Sequence, residues 1–225
     1  MARSLRGTPS QGLWGATLGF FFGFAAVALF GPTAARFQQV MGLSPMAVGF
    51  LVAMPSLSGS LLRIPFAAWV ETTGGRKPFL VLLGLSSIGM AGLTAVAVWI
   101  YPDSLTAAWY PALLALGMLC GCGIATFSVG ISQVSYWHRQ RQQGRALALF
   151  GGLGNVAPGI FTLVLPFALG QWGLATSYVA WFVMLLAGTA LYAFMGRNSW
   201  YFQLRSQGVS DAEARREATA LGQEL

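Results

Sequence analysis

The stretch ALFGGLGNVAPG, Ala148 to Gly159, lies in the middle of a long apolar block, yet it carries four glycines, a proline and an asparagine. Glycine and proline weaken a helix interior by about 1 and 3 kcal/mol relative to alanine. A side-chain amide in hydrocarbon also needs a partner. A membrane helix that keeps such residues at its centre uses them for close packing, for a ligand, or for both. What surrounds the stretch decides the fold.

Of the 225 residues, 56% are hydrophobic and only 8% charged, against about 25% charged in soluble chains. A span needs about 20 mostly apolar residues to cross roughly 30 Å of hydrocarbon. Six blocks qualify: 12–35, 46–70, 78–101, 108–136, 146–170 and 172–196. They predict an all-α membrane protein, a six-helix bundle over 1–197. The first eleven residues are too short and polar for a signal peptide, and no A-x-A site ends the first block, so that block is expected to remain as a span. Cys120 and Cys122 stand two apart inside one block. They point in different directions on a helix and predict buried thiols rather than a disulfide or metal site.

The net charge of +7 could suggest a nucleic-acid partner, but its distribution argues against one. Arg3 and Arg6 precede the first block, Arg76 and Lys77 follow the second, Arg139, Arg141 and Arg145 the fourth, and Arg197 and Arg205 the sixth. The other hinges hold Arg36, Asp103 and no charge. This positive-inside pattern predicts an inner (cell) membrane protein with both termini in the cytoplasm. The tail, 198–225, holds four of the six acids. Within it Ser210-Asp211-Ala212-Glu213 has the capping-box form and predicts a short helix from Asp211 to about Leu221.

Blocks two and five correspond as the middle members of two groups of three. Block two contains PSLSGSLLRIP, Pro55 to Pro65, and block five contains the opening stretch. Each sets small residues, one strongly polar side chain and then a proline. Paired interrupted segments in two halves of a bundle point to a transporter binding site.

Arg63 is the one charge inside the six blocks. It stands seven residues, roughly 10 Å of helix rise, from the end of its block, where an arginine costs about 2.5 kcal/mol or more. Snorkelling to the interface is one account. A buried ion pair is a second, but no block contains an acid, and Glu71 is the nearest. The third is an anion site facing a wet cavity. A guanidinium is flat and offers a fork of donors that matches carboxylate, nitrate or nitrite. Gly151, Asn155 and Gly159 are spaced i, i+4, i+8 and share a helix face. That face suits close helix packing with Asn155 as interhelical glue, or an amide beside a small polar ligand. Phe127, in the polar fourth block GCGIATFSVGISQVSYW, is either core or an aromatic wall for that ligand. His138 stands alone in a basic hinge. No nucleophile elbow, zinc motif, phosphate loop or carboxylate pair occurs, so neither catalysis nor a cofactor is implied.

AxFGGLGNVAPG, SLLRIPFAAWVETTGGRK and GIATFSVGISQVSYWHRQRQQGRALAL together resemble the nitrate/nitrite porter family of the major facilitator superfamily. The likeness covers nearly the whole chain, aligned with the first six of that family's twelve helices, and the tail resembles the start of its central linker. The resemblance implies a 3+3 inverted repeat and transport of nitrate and nitrite across a lipid bilayer by alternating access. Arg63 would grip the anion, Phe127 would stack on its plane, and Asn155 would hydrogen-bond near it. Gly151, Gly152, Gly154 and Gly159 would be the signature glycines. A second six-helix half, with another arginine and another glycine-rich helix, would complete the site. The loop motif departs from the superfamily's form as ETTGGRK. The absence of acids from the blocks leans toward anion exchange over proton coupling. The alternative is a non-transporting bundle in which Arg63 anchors and the glycines only pack.

Overall fold

The computed structural model describes residues 4–223, and among them every regular element is helical. Six helices are long and apolar enough to cross a membrane: Pro9–Met41, Pro45–Thr73, Arg76–Ile100, Ala107–Trp137, Gln140–Gln171 and Gly173–Met195. The first is three pieces, α1 (Pro9–Gly23), α2 (Ala25–Ala28) and α3 (Phe30–Met41). The others contain α4 (Pro45–Thr73), α5 (Arg76–Ala95, continued by a π turn over Val96–Ile100), α6 (Tyr110–Trp137), α7 (Gln140–Gln171) and α8 (Gly173–Met195). Two short helices form the tail, α9 (Trp200–Ser206) and α10 (Asp211–Ala220).

Local chemistry sets the ends. Thr8 and Ser44 accept hydrogen bonds from the amides of Gln11 and Ala47 at 3.2 Å each, and a proline follows each cap at the first helical position. Proline lacks the N–H that would be orphaned there. Gly42 ends α3 in the left-handed conformation at φ 64°, which side-chain-bearing residues rarely adopt. Ser210 accepts from the Glu213 amide at 3.3 Å and starts α10 at Asp211, where the sequence places it.

The interruption expected in blocks two and five lies elsewhere. Helix α4 runs unbroken through Pro55 and Pro65, and α7 through Pro158 and Pro166. The breaks fall in the first span, at Phe24 and Leu29, which keep right-handed helical angles. There Pro32 cannot donate to the Ala28 carbonyl, and the Thr33 hydroxyl bonds back to the Leu29 carbonyl at 2.6 Å, a contact that bends helices.

The helices pack with internal symmetry. The first and fourth spans meet at the centre; the second packs on the fourth and the fifth on the first; the third and sixth pack behind them and on each other. Exchanging spans one to three with four to six leaves this pattern unchanged, as a 3+3 repeat requires. Glycines of α6 admit the neighbours: Gly117 faces the Phe30 ring, Gly121 the Pro55 carbonyl and Gly123 the Gly23 carbonyl. A Cβ at Gly121 or Gly123 would strike backbone, so these crossings depend on glycine. Cys120 and Cys122 are buried and free. Gln133, the buried amide of α6, accepts from the Tyr192 hydroxyl at 2.7 Å and donates to the Arg197 carbonyl at 3.0 Å, tying α6 to α8.

Both described ends lie on one side of the bundle. The Arg6 amide donates to Gln203 Oε1 at 2.9 Å, and Trp200 Nε1 to the Gly7 carbonyl at 3.3 Å. The hinge after α4 joins them through Asn198, which donates to the Thr73 carbonyl at 2.9 Å and accepts from the Arg76 amide at 2.9 Å. Arg139, in the hinge before α7, reaches the Gly222 carbonyl at 3.2 Å. The basic hinges therefore share a face with the tail.

Candidate functional site

Burial separates the six spans. In the first, 72% of the most apolar window is buried, but only 22% in each of the second and fifth. Helices α4 and α7 thus stand at the flanks with most of their surface uncovered.

Each carries two different uncovered strips. On α7, Leu149, Leu153, Val156 and Ile160 form a large apolar strip suited to lipid. Ala148, Gly152, Asn155 and Gly159 form another, exposed as well but small and polar. On α4, Phe50, Leu57, Leu61 and Ile64 are the apolar strip. Ser56, Ser60, Arg63 and Ala67 make the small polar one, exposed at the serines and half-buried at Arg63 and Ala67. Both small strips follow the spacing i, i+4, i+7, i+11, one helical face, and Arg63 and Asn155 occupy the same place in it. A small polar face on a membrane helix has no reason to meet acyl chains. It suits another helix bundle or water.

The Arg63 guanidinium turns inward. Its Cζ lies 5.4 Å from the centroid of the Phe127 ring on α6. Its Nε is shielded from solvent and has no hydrogen-bond partner, and no acid among the described residues pairs with it. Glu71 instead accepts a hydrogen bond from the Tyr136 hydroxyl. Because α4 continues to Thr73, Arg63 is ten residues, about 15 Å of rise, from the helix end. The ion-pair account finds no acidic partner for Arg63 among the described residues. The ring contact contributes about 0.5–2 kcal/mol, less than the cost of about 2.5 kcal/mol or more for an arginine at mid-membrane.

Phe127 is held by the core and lies under the Arg63 guanidinium. It stacks near-parallel on Phe150 of α7 at 5.9 Å and tilts against Phe20 of α1 at 5.3 Å, so three helices fix the ring beneath Arg63. Sequence reasoning missed Phe20 and Phe150. The available signal was small residues facing them, since Gly130 lies against the Phe150 ring and Gly154 against the Phe20 ring.

The signature glycines do different jobs. A Cβ on Gly154 would collide with the buried Phe20 ring. One on Gly151 would sit in ordinary contact, 3.9 Å from Phe127 Cε2, and ones on Gly152 and Gly159 would meet nothing within 4 Å. Of these four, Gly154 alone serves close packing among the described residues, and it lies off the Gly151, Asn155, Gly159 face. Asn155 is exposed and bonds no other helix. Its Nδ2 donates to the Gly151 carbonyl of its own helix at 2.7 Å. The structure thus links Arg63, Phe127 and Gly151 by direct neighbourhood and Asn155 through Gly151.

Residues 16–218 match the profile of the Major Facilitator Superfamily. The chain belongs to the Major Facilitator Superfamily. With six apolar helices of spanning length, it is a multi-pass membrane protein of that superfamily. Curated superfamily relatives include the nitrate/nitrite transporter NarU of Salmonella typhimurium, 27% identical over 86% of this chain and 44% of the relative. The probable nitrate/nitrite antiporter NarK1 of Thermus thermophilus is 32% identical over 68% of this chain and 32% of the relative. The probable nitrate/nitrite transporter NarK2 of Mycobacterium tuberculosis is 30% identical over 83% and 45%. The chain spans less than half the length of these relatives.

Proposed function

We propose that this chain forms the first six-helix half of a nitrate/nitrite transporter, working by anion exchange or uptake through alternating access with a second six-helix half. The observation that carries the reading is the inward-turned Arg63 guanidinium above Phe127, with no acid to neutralise it. A trigonal planar anion of charge −1 accepts two parallel N–H donors from the guanidinium fork. Its flat face then lies on the Phe127 ring, and Asn155 is the polar group of α7 nearest in helical register.

The exposed small strips of α4 and α7 support a second bundle rather than a self-contained one. A partner seated on both strips closes a pathway whose wall is Arg63, Phe127 and the glycine face. Rocking of the two halves then exposes the anion to one side and the other in turn. The basic hinges and both described ends share one side, and the positive-inside rule assigns that side to the cytoplasm in the inner (cell) membrane.

The test is exchange of labelled nitrate into nitrite-loaded proteoliposomes, with this chain alone and with a second six-helix half. Exchange is expected only when both are present. No exchange in the completed assembly refutes the substrate assignment, and exchange by the isolated chain refutes the need for a second half.

A further inference from the structure

We propose that the groove between α1 and α7 holds an anionic glycerophospholipid, its phosphate on Arg141 and Arg145 and an acyl chain along Leu149, Leu153, Val156 and Ile160. A cavity of about 460 Å³ opens at the basic end of these helices, lined by Arg141, Gln142, Arg145 and His138 above Leu13 and Leu149. The two arginines stand i, i+4 on one face of α7. Neither has a hydrogen bond or ion pair within the described residues. His138 donates from Nδ1 to the Val134 carbonyl at 2.8 Å, since a carbonyl can only accept. That bond fixes the ring at the cavity edge.

One turn further along the same two helices, the lining becomes apolar but for Thr17, whose hydroxyl donates to the Leu13 carbonyl at 2.8 Å. A second cavity of about 270 Å³ lies between Trp14, Thr17, Leu18 and Phe21 of α1 and Leu153, Val156 and Ile160 of α7. From Leu149 to Ile160 the groove follows eleven residues, about 16 Å of rise, close to half of the roughly 30 Å hydrocarbon thickness. A cationic head at the membrane edge followed by a single-leaflet apolar channel matches the two ends of a phospholipid. Basic pockets between membrane helices on the cytoplasmic side are recognised headgroup sites.

Charge selects the lipid class. Among the described residues no acidic side chain lines the cavity, so the ammonium of a zwitterionic headgroup finds no partner among them. A phosphodiester with net negative charge and hydroxyl substituents, as in phosphatidylglycerol, is neutralised by the arginines and bonded by Gln142. This site is separate from Arg63 and does not depend on the transport reading.

Native mass spectrometry of the chain released from detergent tests the proposal. The probes are phosphatidylglycerol, phosphatidylethanolamine with the same acyl chains, and soluble glycerol 3-phosphate. Phosphatidylglycerol is expected to bind at least tenfold more tightly than either of the others. In Arg141→Gln/Arg145→Gln its affinity falls roughly thirtyfold, while Arg36→Gln/Arg216→Gln, with the same charge loss elsewhere, keeps it. Leu153→Trp, which fills the groove, also weakens it. Equal binding of the two lipids by the unaltered chain overturns the proposal without any variant, as does an undiminished preference after loss of both arginines. Glycerol 3-phosphate binding as tightly as the lipid overturns the acyl channel.

Discussion

Gly154→Ala and Gly152→Ala add the same methyl group two residues apart in one helix, and the structure separates their outcomes. The new Cβ at Gly154 would lie well inside van der Waals contact of Phe20 Cδ1. That ring is 1% exposed and held by Phe24 at 5.0 Å, Phe127 at 5.3 Å and Phe150 at 5.3 Å, so it cannot swing aside. Overpacking of this kind costs about 1–3 kcal/mol, and the closeness of the contact places it near the upper end. Replacing a helical glycine by alanine returns about 1 kcal/mol of propensity, which leaves a net loss of about 2 kcal/mol. At Gly152 the methyl meets nothing within 4 Å, and only the gain of about 1 kcal/mol remains. The difference of about 3 kcal/mol corresponds to melting temperatures about 6–12 °C apart for a chain of this size. Thermal unfolding in detergent, followed by tryptophan fluorescence or gel-filtration recovery, measures it. Gly154→Ala melting level with Gly152→Ala would refute the assignment of packing to one glycine and open space to the other.

Other outcomes follow from the same contacts. Gln133→Leu strands the buried Tyr192 hydroxyl, while the Arg197 carbonyl keeps its bond from Trp137 Nε1; the change is expected to cost about 1–3 kcal/mol, read as a lower melting temperature. Asn155→Ala removes only a local, exposed bond to Gly151; stability should stay within about 0.5 kcal/mol, while nitrate exchange by the completed transporter falls. The tail has a defined pH window. The Tyr201 hydroxyl and then Arg215 hold the Asp211 carboxyl below the usual carboxylate range, so its contribution is complete above about pH 4 and is lost as pH falls through the lower folded value. Burial, then the hydrogen bond to Asp211, raises Tyr201 above its usual value of about 10. Its contribution is complete below that pH and is lost as pH rises through the raised value. The protection of the α10 amides, their exchange rate relative to the intrinsic rate at each pH, should therefore stay flat between about pH 4 and 10 and fall outside that window.

Much of this architecture is legible in the residues. Hydrocarbon thickness makes the six spans readable, because a run of about 20 apolar residues has few other uses. The depth of Arg63 is readable for the same reason, since one arginine in an apolar block stands out. Ser210 announces α10 because its side chain satisfies a bond that the helix itself cannot make. What escapes the sequence is tertiary in origin. The segments holding Pro55, Pro65 and Pro158 read as interrupted, yet α4 and α7 pass through them, while the first span loosens at Phe24 and Leu29 with no proline at either position. The Phe20–Phe150 support under Phe127 joins residues 130 apart in the chain, and no local pattern encodes that meeting. The glycines of ALFGGLGNVAPG look equivalent in sequence, and only the position of Phe20 singles out Gly154.

The most direct test of the account replaces Arg63 by Lys in the completed transporter and measures nitrate exchange in proteoliposomes. Lysine keeps the charge but loses the planar two-donor fork. The loss of one charge-assisted hydrogen bond, about 1.5–3 kcal/mol, predicts exchange slowed by at least tenfold, with the melting temperature unchanged. Wild-type exchange by Arg63→Lys would show that this guanidinium does not hold the anion, and the role given to the α4–α6 face would fall with it.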